Sequence, residues 1–215
     1  MIDPRKVTDF GRTDAELEEF LLFSIVVAGK NAFQQAKKLD QFLSFHDSNI
    51  ASPFDKIQSW SYSPALVDML RACKMGQYER IGTAFRGVAA FFSNGDDFTQ
   101  IGSPLRTVDV QTLECVKGIG MKTARFFLMH TRPNVEYACL DTHILKWLGN
   151  LGYEVPKTTP RGEKYLTLEK VFLLHCKEVG KTPAELDLEI WNSQHLENSS
   201  KKNLTAAYTS DIVVA

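Results

Sequence analysis

The stretch from Leu113 to Asp141 reads LECVKGIGMKTARFFLMHTRPNVEYACLD, and its pattern decides the fold that we expect. An apolar helical periodicity runs through it and is interrupted by Gly118-Ile119-Gly120. Lys122 follows this break, and Asp141 stands 19 positions later (141 − 122 = 19). Because glycine permits unusual backbone angles and a close approach of the backbone to a partner, the pattern predicts two helices joined by a tight turn at about residues 109–128.

The predicted turn is a candidate phosphate site. A helix that begins directly after it would direct free backbone N–H groups and the positive end of its dipole outward. Residues 112–132 carry a formal charge of +3 (4 − 1 = 3), although the whole chain carries −1. The charged residues are Lys117, Lys122, Arg125 and Arg132 against Glu114. The expected phosphate contacts are Gly118, Ile119, Gly120 and Thr123. An ordinary helical corner with solvated lysines is the alternative.

Composition limits the possible domain organisation, metal sites and location of the protein. A chain of 215 residues with 44% apolar residues can form one large domain or two small ones. Its net charge excludes a uniformly basic nucleic-acid-binding protein. The four cysteines are far apart and form no C-x-x-C pair, which argues against a zinc or iron-sulfur site. Since we find no signal sequence and no apolar run of membrane-spanning length, we expect a soluble intracellular protein.

The rest of the chain has helical periodicity, with no convincing strand and no long repeat. We therefore predict an all-α fold of about ten short helices arranged as two lobes, with Lys122 and Asp141 where the lobes meet. The apolar FLLFSIVVA segment predicts a central buried helix. Residues 1–12 are expected to be a loose leader, residues 13–196 the helical domain, and residues 197–215 a flexible tail.

The motifs LECVKGIGMKTA and ACLDTHILKWLG resemble the helix-hairpin-helix DNA glycosylase superfamily, which includes endonuclease III and the 8-oxoguanine glycosylases. The resemblance extends more weakly over roughly residues 15–195. It implies a two-lobed fold with the active site in the cleft between the lobes. It also implies that Lys122 is the nucleophile of a bifunctional glycosylase and that Asp141 is the essential carboxylate.

Elementary chemistry agrees with these two roles. A neutral lysine amine can attack the sugar C1′ atom, and a carboxylate can stabilise the positive charge that develops on the sugar as the base leaves. Each residue also has an ordinary interpretation. Lys122 alone would be a surface lysine, and Asp141 in LDTHI would be a helix N-cap.

The resemblance favours the 8-oxoguanine branch, because only Cys176 lies in the C-terminal third, where other members bind an iron-sulfur cluster. No cofactor is therefore expected, although the hairpin could hold a monovalent cation. The last helix resembles that of the archaeal-type members. In that branch, Trp191 and Phe126 would stack on the base, and Asp187 would accept a hydrogen bond from it. Gln194 would complete the base pocket, with His195 beside it. Core packing is the alternative for both aromatic residues.

An enzyme that flips a base out of the duplex must fill the gap that is left. The resemblance makes the breaks at residues 29–31 and 76–78 candidates for this wedge, and the alternative is two solvated turns. The wedge candidates are Lys30, Asn31, Gln77 and Tyr78. His143 and Trp60 are open between a structural and a site role.

We therefore expect a monomeric enzyme whose partner is damaged double-stranded DNA, with no membrane association. It would excise an oxidised base through a Schiff base on Lys122 and then cleave the strand by β-elimination. The alternatives are a glycosylase for oxidised pyrimidines or alkylated bases, a monofunctional glycosylase that uses Asp141 and water, and a helix-hairpin-helix module that binds DNA without chemistry.

Overall fold

The computed structural model describes residues 1–45, 52–61, 64–93 and 104–195, and within these ranges it contains no strand. The all-α prediction is confirmed. The helices are α1 (Asp14–Val26), α2 (Ala32–Ser44), α3 (Pro53–Ser61), α4 (Ala65–Ala72), α5 (Tyr78–Ser93), α6 (Val110–Cys115), α7 (Met121–Thr131), α8 (Thr142–Asn150), α9 (Gly162–Glu178) and α10 (183–195). The chain divides into two compact units, Met1–Tyr137 and Ala138–Ala215, which we describe separately.

Helix α1 is the centre of the first unit, as its apolar sequence predicts. Its N-terminus is closed by a capping box in which Thr13 and Glu16 exchange hydrogen bonds. The side chains on every face of its second half are at most 1% exposed: Phe20, Leu21, Leu22, Phe23, Ile25 and Val26. Helices α2, α3, α5 and α7 pack around it, so the hairpin helix α7 rests directly on the core of this unit.

The N-terminal segment corrects the expectation of a loose leader. Val7 and Arg12 are buried, and the Arg12 guanidinium donates to the carbonyl oxygens of Val7 (2.6 Å) and His130 (3.0 Å). The His130 carbonyl also accepts from the backbone N–H of Asp9 at 3.1 Å. Because His130 lies in the last turn of α7, where carbonyl groups lack helical partners, the leader caps that helix.

Helix α3 is an element that the sequence pattern did not predict, because Ser52-Pro53 reads as a loop. The Glu18 carboxylate of α1 accepts hydrogen bonds from the Ser52 hydroxyl and from the backbone N–H of Phe54 (2.9 Å). Burial raises the pKa of Glu18. A contact across 36 positions thus fixes the start of α3, which short-range periodicity cannot reveal. The predicted tail at residues 197–215 lies outside the described residues.

The second unit contains α8, α9 and α10. Helix α10 begins with a reciprocal capping pair, because Thr182 and Glu185 each accept a hydrogen bond from the other's backbone N–H. Phe172 of α9 is fully buried and lies 6.0 Å from Trp147 of α8, measured between ring centroids. No helix in the described ranges is long and apolar enough to cross a membrane.

Candidate active site and phosphate-binding hairpin

The glycine turn joins α6 to α7 as predicted, and Gly118 is the residue that its geometry requires. Gly118 has φ +97°, in the left-handed region that favours glycine. A Cβ atom at this position would lie 2.5 Å from the Cβ of Ala84 on α5. The turn therefore lies against α5 so closely that only glycine fits.

The start of α7 presents unpaired N–H groups. Gly120 is the N-cap and provides no side-chain cap. Among the described residues, no acceptor takes the backbone N–H of Met121, Lys122 or Thr123. These groups and the helix dipole favour an anion at this position. Ile119 contributes differently from its predicted role, because its N–H donates to the Val116 carbonyl (3.0 Å) and its side chain is 5% exposed. It anchors the turn in the core.

Arg125 does not contribute its charge to the predicted phosphate patch. Its side chain is buried and forms an ion pair with Glu114, which joins α7 to α6. Its guanidinium also lies over the Tyr137 ring, 5.7 Å from the centroid. Arg132 is directed to the Leu105 carbonyl at 2.9 Å, and burial lowers its pKa. Glu114 therefore neutralises Arg125, and the remaining positive charges of this stretch are those of Lys117, Lys122 and Arg132.

Lys122 is the second residue of α7 and its side chain is half-buried. Within the described part of the chain, its amine has neither a carboxylate partner nor a hydrogen bond. A lysine held in an ion pair would be a poor nucleophile, because its amine would remain protonated. The structure leaves the Lys122 amine available.

Phe126, one turn after Lys122, packs on core aromatic rings, and its stacking on a base stays a prediction. Its ring lies 5.6 Å from that of Phe20 on α1 and 4.7 Å from that of His130. The side chain nevertheless remains partly exposed. Phe126 therefore packs on the core of the first unit and retains accessible surface.

In the second unit, α9 fixes the segment that ends at Asp141. The Tyr165 hydroxyl donates to the Ala138 carbonyl (2.6 Å) and accepts from the Leu140 N–H (3.2 Å). The Glu169 carboxylate accepts from the Ala138 N–H at 2.9 Å. Both side chains are buried, so the backbone before Asp141 has little freedom. Local sequence patterns carry no signal for this contact, since its α9 residues lie 25 or more positions downstream.

The Asp141 carboxylate is the N-cap of α8, as its ordinary interpretation predicts. Its Oδ1 atom accepts from the backbone N–H groups of His143 (2.8 Å) and Ile144 (3.0 Å). Its Oδ2 atom accepts no hydrogen bond from any described residue. One oxygen thus fixes the orientation of the carboxylate, and the other is left for a ligand.

His143 and Gln194 are held together across 51 positions. The Gln194 amide nitrogen donates to the His143 carbonyl (3.0 Å), and its amide oxygen lies 3.0 Å from the His143 Nδ1 atom. Because a carbonyl oxygen only accepts, the first bond identifies the amide nitrogen of Gln194, and the amide oxygen must then face Nδ1. We therefore assign the proton of the His143 ring to Nδ1 and the lone pair of the neutral ring to Nε2. Gln194 is 8% exposed, so it positions His143, and its contact to the base stays a prediction.

Trp191 and His195 form an aromatic stack on α10. Their ring centroids are 3.8 Å apart with an interplanar angle of 28°, and His143 lies 6.4 Å from Trp191. Trp191 is partly exposed, as a residue that contacts a base would need to be. Asp187, one turn earlier, is buried near Cys176. Burial first, and the charge of Asp187 second, raise the pKa of the Cys176 thiol to about 11.

The candidate wedge residues and Trp60 have structural contacts. Asn31 caps α2 by accepting from the Gln34 N–H at 3.0 Å. Trp60 packs on Phe42 with 5.3 Å between ring centroids, and the Tyr78 ring lies 5.9 Å from the Arg71 guanidinium. Gln77 is exposed at φ +49°, a strained conformation for a residue other than glycine.

No group of three or more metal-ligating side chains occurs in the described ranges. The expectation of no cofactor stays a prediction.

Replacing Gln194 with methionine is expected to lower the free energy of unfolding by about 1–3 kcal/mol, because two partly buried polar groups of His143 lose their partners. Urea denaturation measures this change, and Gln111→Met on the exposed side of α6 is the control that should change little. Nitrogen-15 spectra of the histidine rings test the tautomer. A wild-type His143 protonated at Nε2 would contradict the assignment.

Curated relatives resemble part of the chain. A segment of 79 residues is 42% identical to the 8-oxoguanine DNA glycosylase/AP lyase of Thermoplasma volcanium, and another match of this length is 40% identical to that of Thermoplasma acidophilum. Each match spans 37% of this chain and only 37% of the relative. No protein-family model matches the chain.

Solved structures resemble nearly all of the chain. The 8-oxoguanine DNA glycosylase of Methanocaldococcus jannaschii has a TM-score of 0.61 at 25% identity, covering 88% of this chain and 83% of that one. The 8-oxoguanine DNA glycosylase of Thermotoga maritima shares the fold, with a TM-score of 0.58 at 22% identity and coverages of 83% and 79%. The local sequence similarity and the shared helical fold make the chain similar to the 8-oxoguanine DNA glycosylases, although it matches only 37% of the length of the curated relatives.

Proposed function

We propose that this protein is a bifunctional DNA glycosylase and AP lyase that excises 8-oxoguanine. The observation that carries the proposal is the Lys122 amine, which has no ion pair among the described residues and lies in the first turn of the helix that follows the glycine hairpin. The names of the relatives support the choice of substrate. The M. jannaschii glycosylase has also been solved with a 15mer DNA that contains 8-oxoguanine.

In the proposed reaction, the damaged nucleotide leaves the duplex and the hairpin N–H groups hold a backbone phosphate. The neutral Lys122 amine attacks C1′, the bond from C1′ to the base breaks, and the base leaves with the bonding electrons and takes up a proton. The free Oδ2 atom of Asp141 stabilises the positive charge that develops on the sugar. The bound amine then loses a proton, its lone pair forms a C=N bond as the C1′–O4′ bond breaks, and O4′ takes up a proton, which gives the protonated Schiff base (iminium).

Strand cleavage follows from the Schiff base. Removal of a proton from C2′ sends electrons toward the iminium nitrogen, and the C3′–O bond breaks with the 3′ phosphate as the leaving group. Hydrolysis of the imine then restores Lys122. No oxidant, reductant or metal ion is needed to balance these steps. The reaction therefore needs only the amine, the carboxylate and water.

We propose that Phe126, Asp187, Trp191 and Gln194 contact the base. Oxidation of guanine converts N7 from an acceptor into an N–H donor, which a carboxylate can recognise. The accessible surfaces of Phe126 and Trp191 can stack on a purine. We further propose that the protein acts as a monomer on chromosomal DNA inside the cell and needs no resident cofactor, while the hairpin accommodates a monovalent cation.

A panel of duplexes tests the proposal. We expect strand cleavage without alkali at 8-oxoguanine, and little at thymine glycol, uracil or alkylated purines. Cleavage only after alkali would identify a monofunctional glycosylase. Tight duplex binding with no base release from any substrate would overturn the enzymatic proposal and support a helix-hairpin-helix module that holds phosphates without chemistry.

A further inference from the structure

Lys30 joins two loops of the first unit that are 45 positions apart in sequence. The loop pair consists of residues 27–31, between α1 and α2, and residues 73–77, between α4 and α5. The Lys30 ammonium donates to the carbonyl oxygens of Met75 (2.8 Å) and Gly76 (3.1 Å). The position of the cation is therefore fixed, and one of its three N–H groups remains for another ligand.

Arg80, in the first turn of α5, is a second cation at the loop pair. Its Nε atom donates to the Gln77 side-chain oxygen at 2.5 Å, and its Nη2 atom donates to the Ile25 carbonyl at 3.3 Å. Both cations are thus held by neutral oxygen atoms. Neutral acceptors orient a cation without neutralising its charge.

Neither cation has a carboxylate partner among the described residues. The contrast is Arg71 on the neighbouring α4, which pairs with Asp68 (2.9 Å) and lies 3.7 Å from Glu79. The charged groups that act on Lys30 are Arg80 of α5 and Lys38 of α2, and both are positive. The loop pair is therefore a local concentration of fixed positive charge in a chain whose net charge is −1.

We propose that Lys30 and Arg80 form a second phosphate-binding site, distinct from the hairpin, that holds the backbone of the DNA. The choice of DNA as the ligand rests on the proposed function. A phosphate would supply the negative charge that the loop pair lacks and would accept the remaining N–H of Lys30. This role differs from that of a wedge, in which Lys30 would enter the base stack and neutralise no phosphate.

The protonation of Lys30 gives the site a measurable signature. Burial first, and the charges of Arg80 and Lys38 next, lower the pKa of Lys30 to about 8. A bound phosphate favours the charged ammonium and raises this pKa again. DNA binding at pH 8.5–9 should therefore take up protons, whereas at pH 6.5 Lys30 is protonated in both states and contributes no uptake.

The salt dependence of DNA affinity tests the site directly. With an undamaged duplex and with one that carries a stable abasic-site analogue, we expect the slope of log Kd against log salt at pH 7 to fall by about 0.9 in Lys30→Met, since one phosphate contact is lost. Lys56→Met is the matched control, because Lys56 also donates to a backbone carbonyl, that of Leu43, at 2.9 Å. Lys30→Arg should retain the slope.

Calorimetry in two buffers of different ionisation enthalpy measures the proton uptake. The uptake at pH 8.5–9 should be present in the wild type and in Lys56→Met, and absent from Lys30→Met and Lys30→Arg. A Lys30→Met protein that binds more weakly with an unchanged salt slope would overturn the proposal in favour of the wedge. Normal excision by Lys30→Met, with the salt slope and the proton uptake of the wild type, would also overturn it. If the wild type binds duplexes with these signatures but excises no base, only the enzymatic function is rejected.

Discussion

The Lys122→Gln protein is expected to form no covalent complex when it is mixed with a duplex containing 8-oxoguanine and borohydride, whereas the wild type is trapped. Borohydride reduces only an imine, so trapping reports a bond between the protein amine and C1′ of the sugar. Loss of the nucleophile should also lower the rate of strand cleavage by at least on the order of 10³-fold. Denaturing gels measure both the trapped species and the cleaved strand.

The fold should tolerate this substitution. Lys122 has no partner among the described residues and lies in an open first turn, so no buried group loses a hydrogen bond. Lys117→Gln is the matched control, because Lys117 is exposed just before the turn and its replacement removes the same charge. It should retain trapping while its DNA affinity falls modestly.

Two outcomes would contradict the assignment of Lys122. Persistent trapping of Lys122→Gln would assign the Schiff base to another amine. Normal base release with an uncut abasic strand would instead show that Asp141 and water carry the reaction, as in a monofunctional glycosylase. In that case Asp141→Asn should lower base release by about 10²–10⁴-fold, while Lys122→Gln would lower only strand cleavage.

The hairpin and the start of α8 could be predicted from the sequence because their signals are local. A glycine pair between two apolar patterns determines the turn, and an aspartate at the start of a helical pattern determines the N-cap. In both cases the residues that define the geometry lie within a few positions of one another. The ordinary interpretation of Asp141 as an N-cap and its proposed catalytic role proved compatible, because each uses a different carboxylate oxygen.

The contacts that assign the other site residues are long-range, and periodicity carries no information about them. Gln194 meets His143 across 51 positions, which gives it a role in orienting a histidine that the sequence pattern does not reveal. Lys30 meets Met75 across 45 positions, which makes it a fixed cation at a loop pair. The sequence predicts that Arg125 adds to the positive charge of residues 112–132, yet its ion pair with Glu114 joins the two helices of the hairpin. Composition reports such charges but not their partners.

The two glycines of the hairpin should separate the stability of the fold from the binding of DNA. Gly118→Ala forces a side chain into a backbone conformation with φ +97°, at a strain of about 1–3 kcal/mol. Its Cβ atom would also lie 2.5 Å from Ala84, and such overpacking costs about 1–3 kcal/mol more. We therefore expect a loss of roughly 2–6 kcal/mol, and for a chain of this size the melting temperature falls by about 2–4 °C for each kcal/mol.

Gly120→Ala is the matched variant with the opposite expectation. Gly120 has φ −110°, which any residue adopts, and a Cβ atom there would meet nothing within 4 Å. Its free energy of unfolding should change by less than about 1 kcal/mol, the usual scale of an N-cap effect. The added methyl group would nevertheless stand beside the free N–H groups of Met121 and Lys122, where a phosphate must approach.

Thermal denaturation and duplex binding of both variants test this separation. If Gly120→Ala binds DNA as the wild type does, the phosphate does not approach α7 along its N-terminus; if Gly118→Ala melts at the wild-type temperature, the turn can move away from α5.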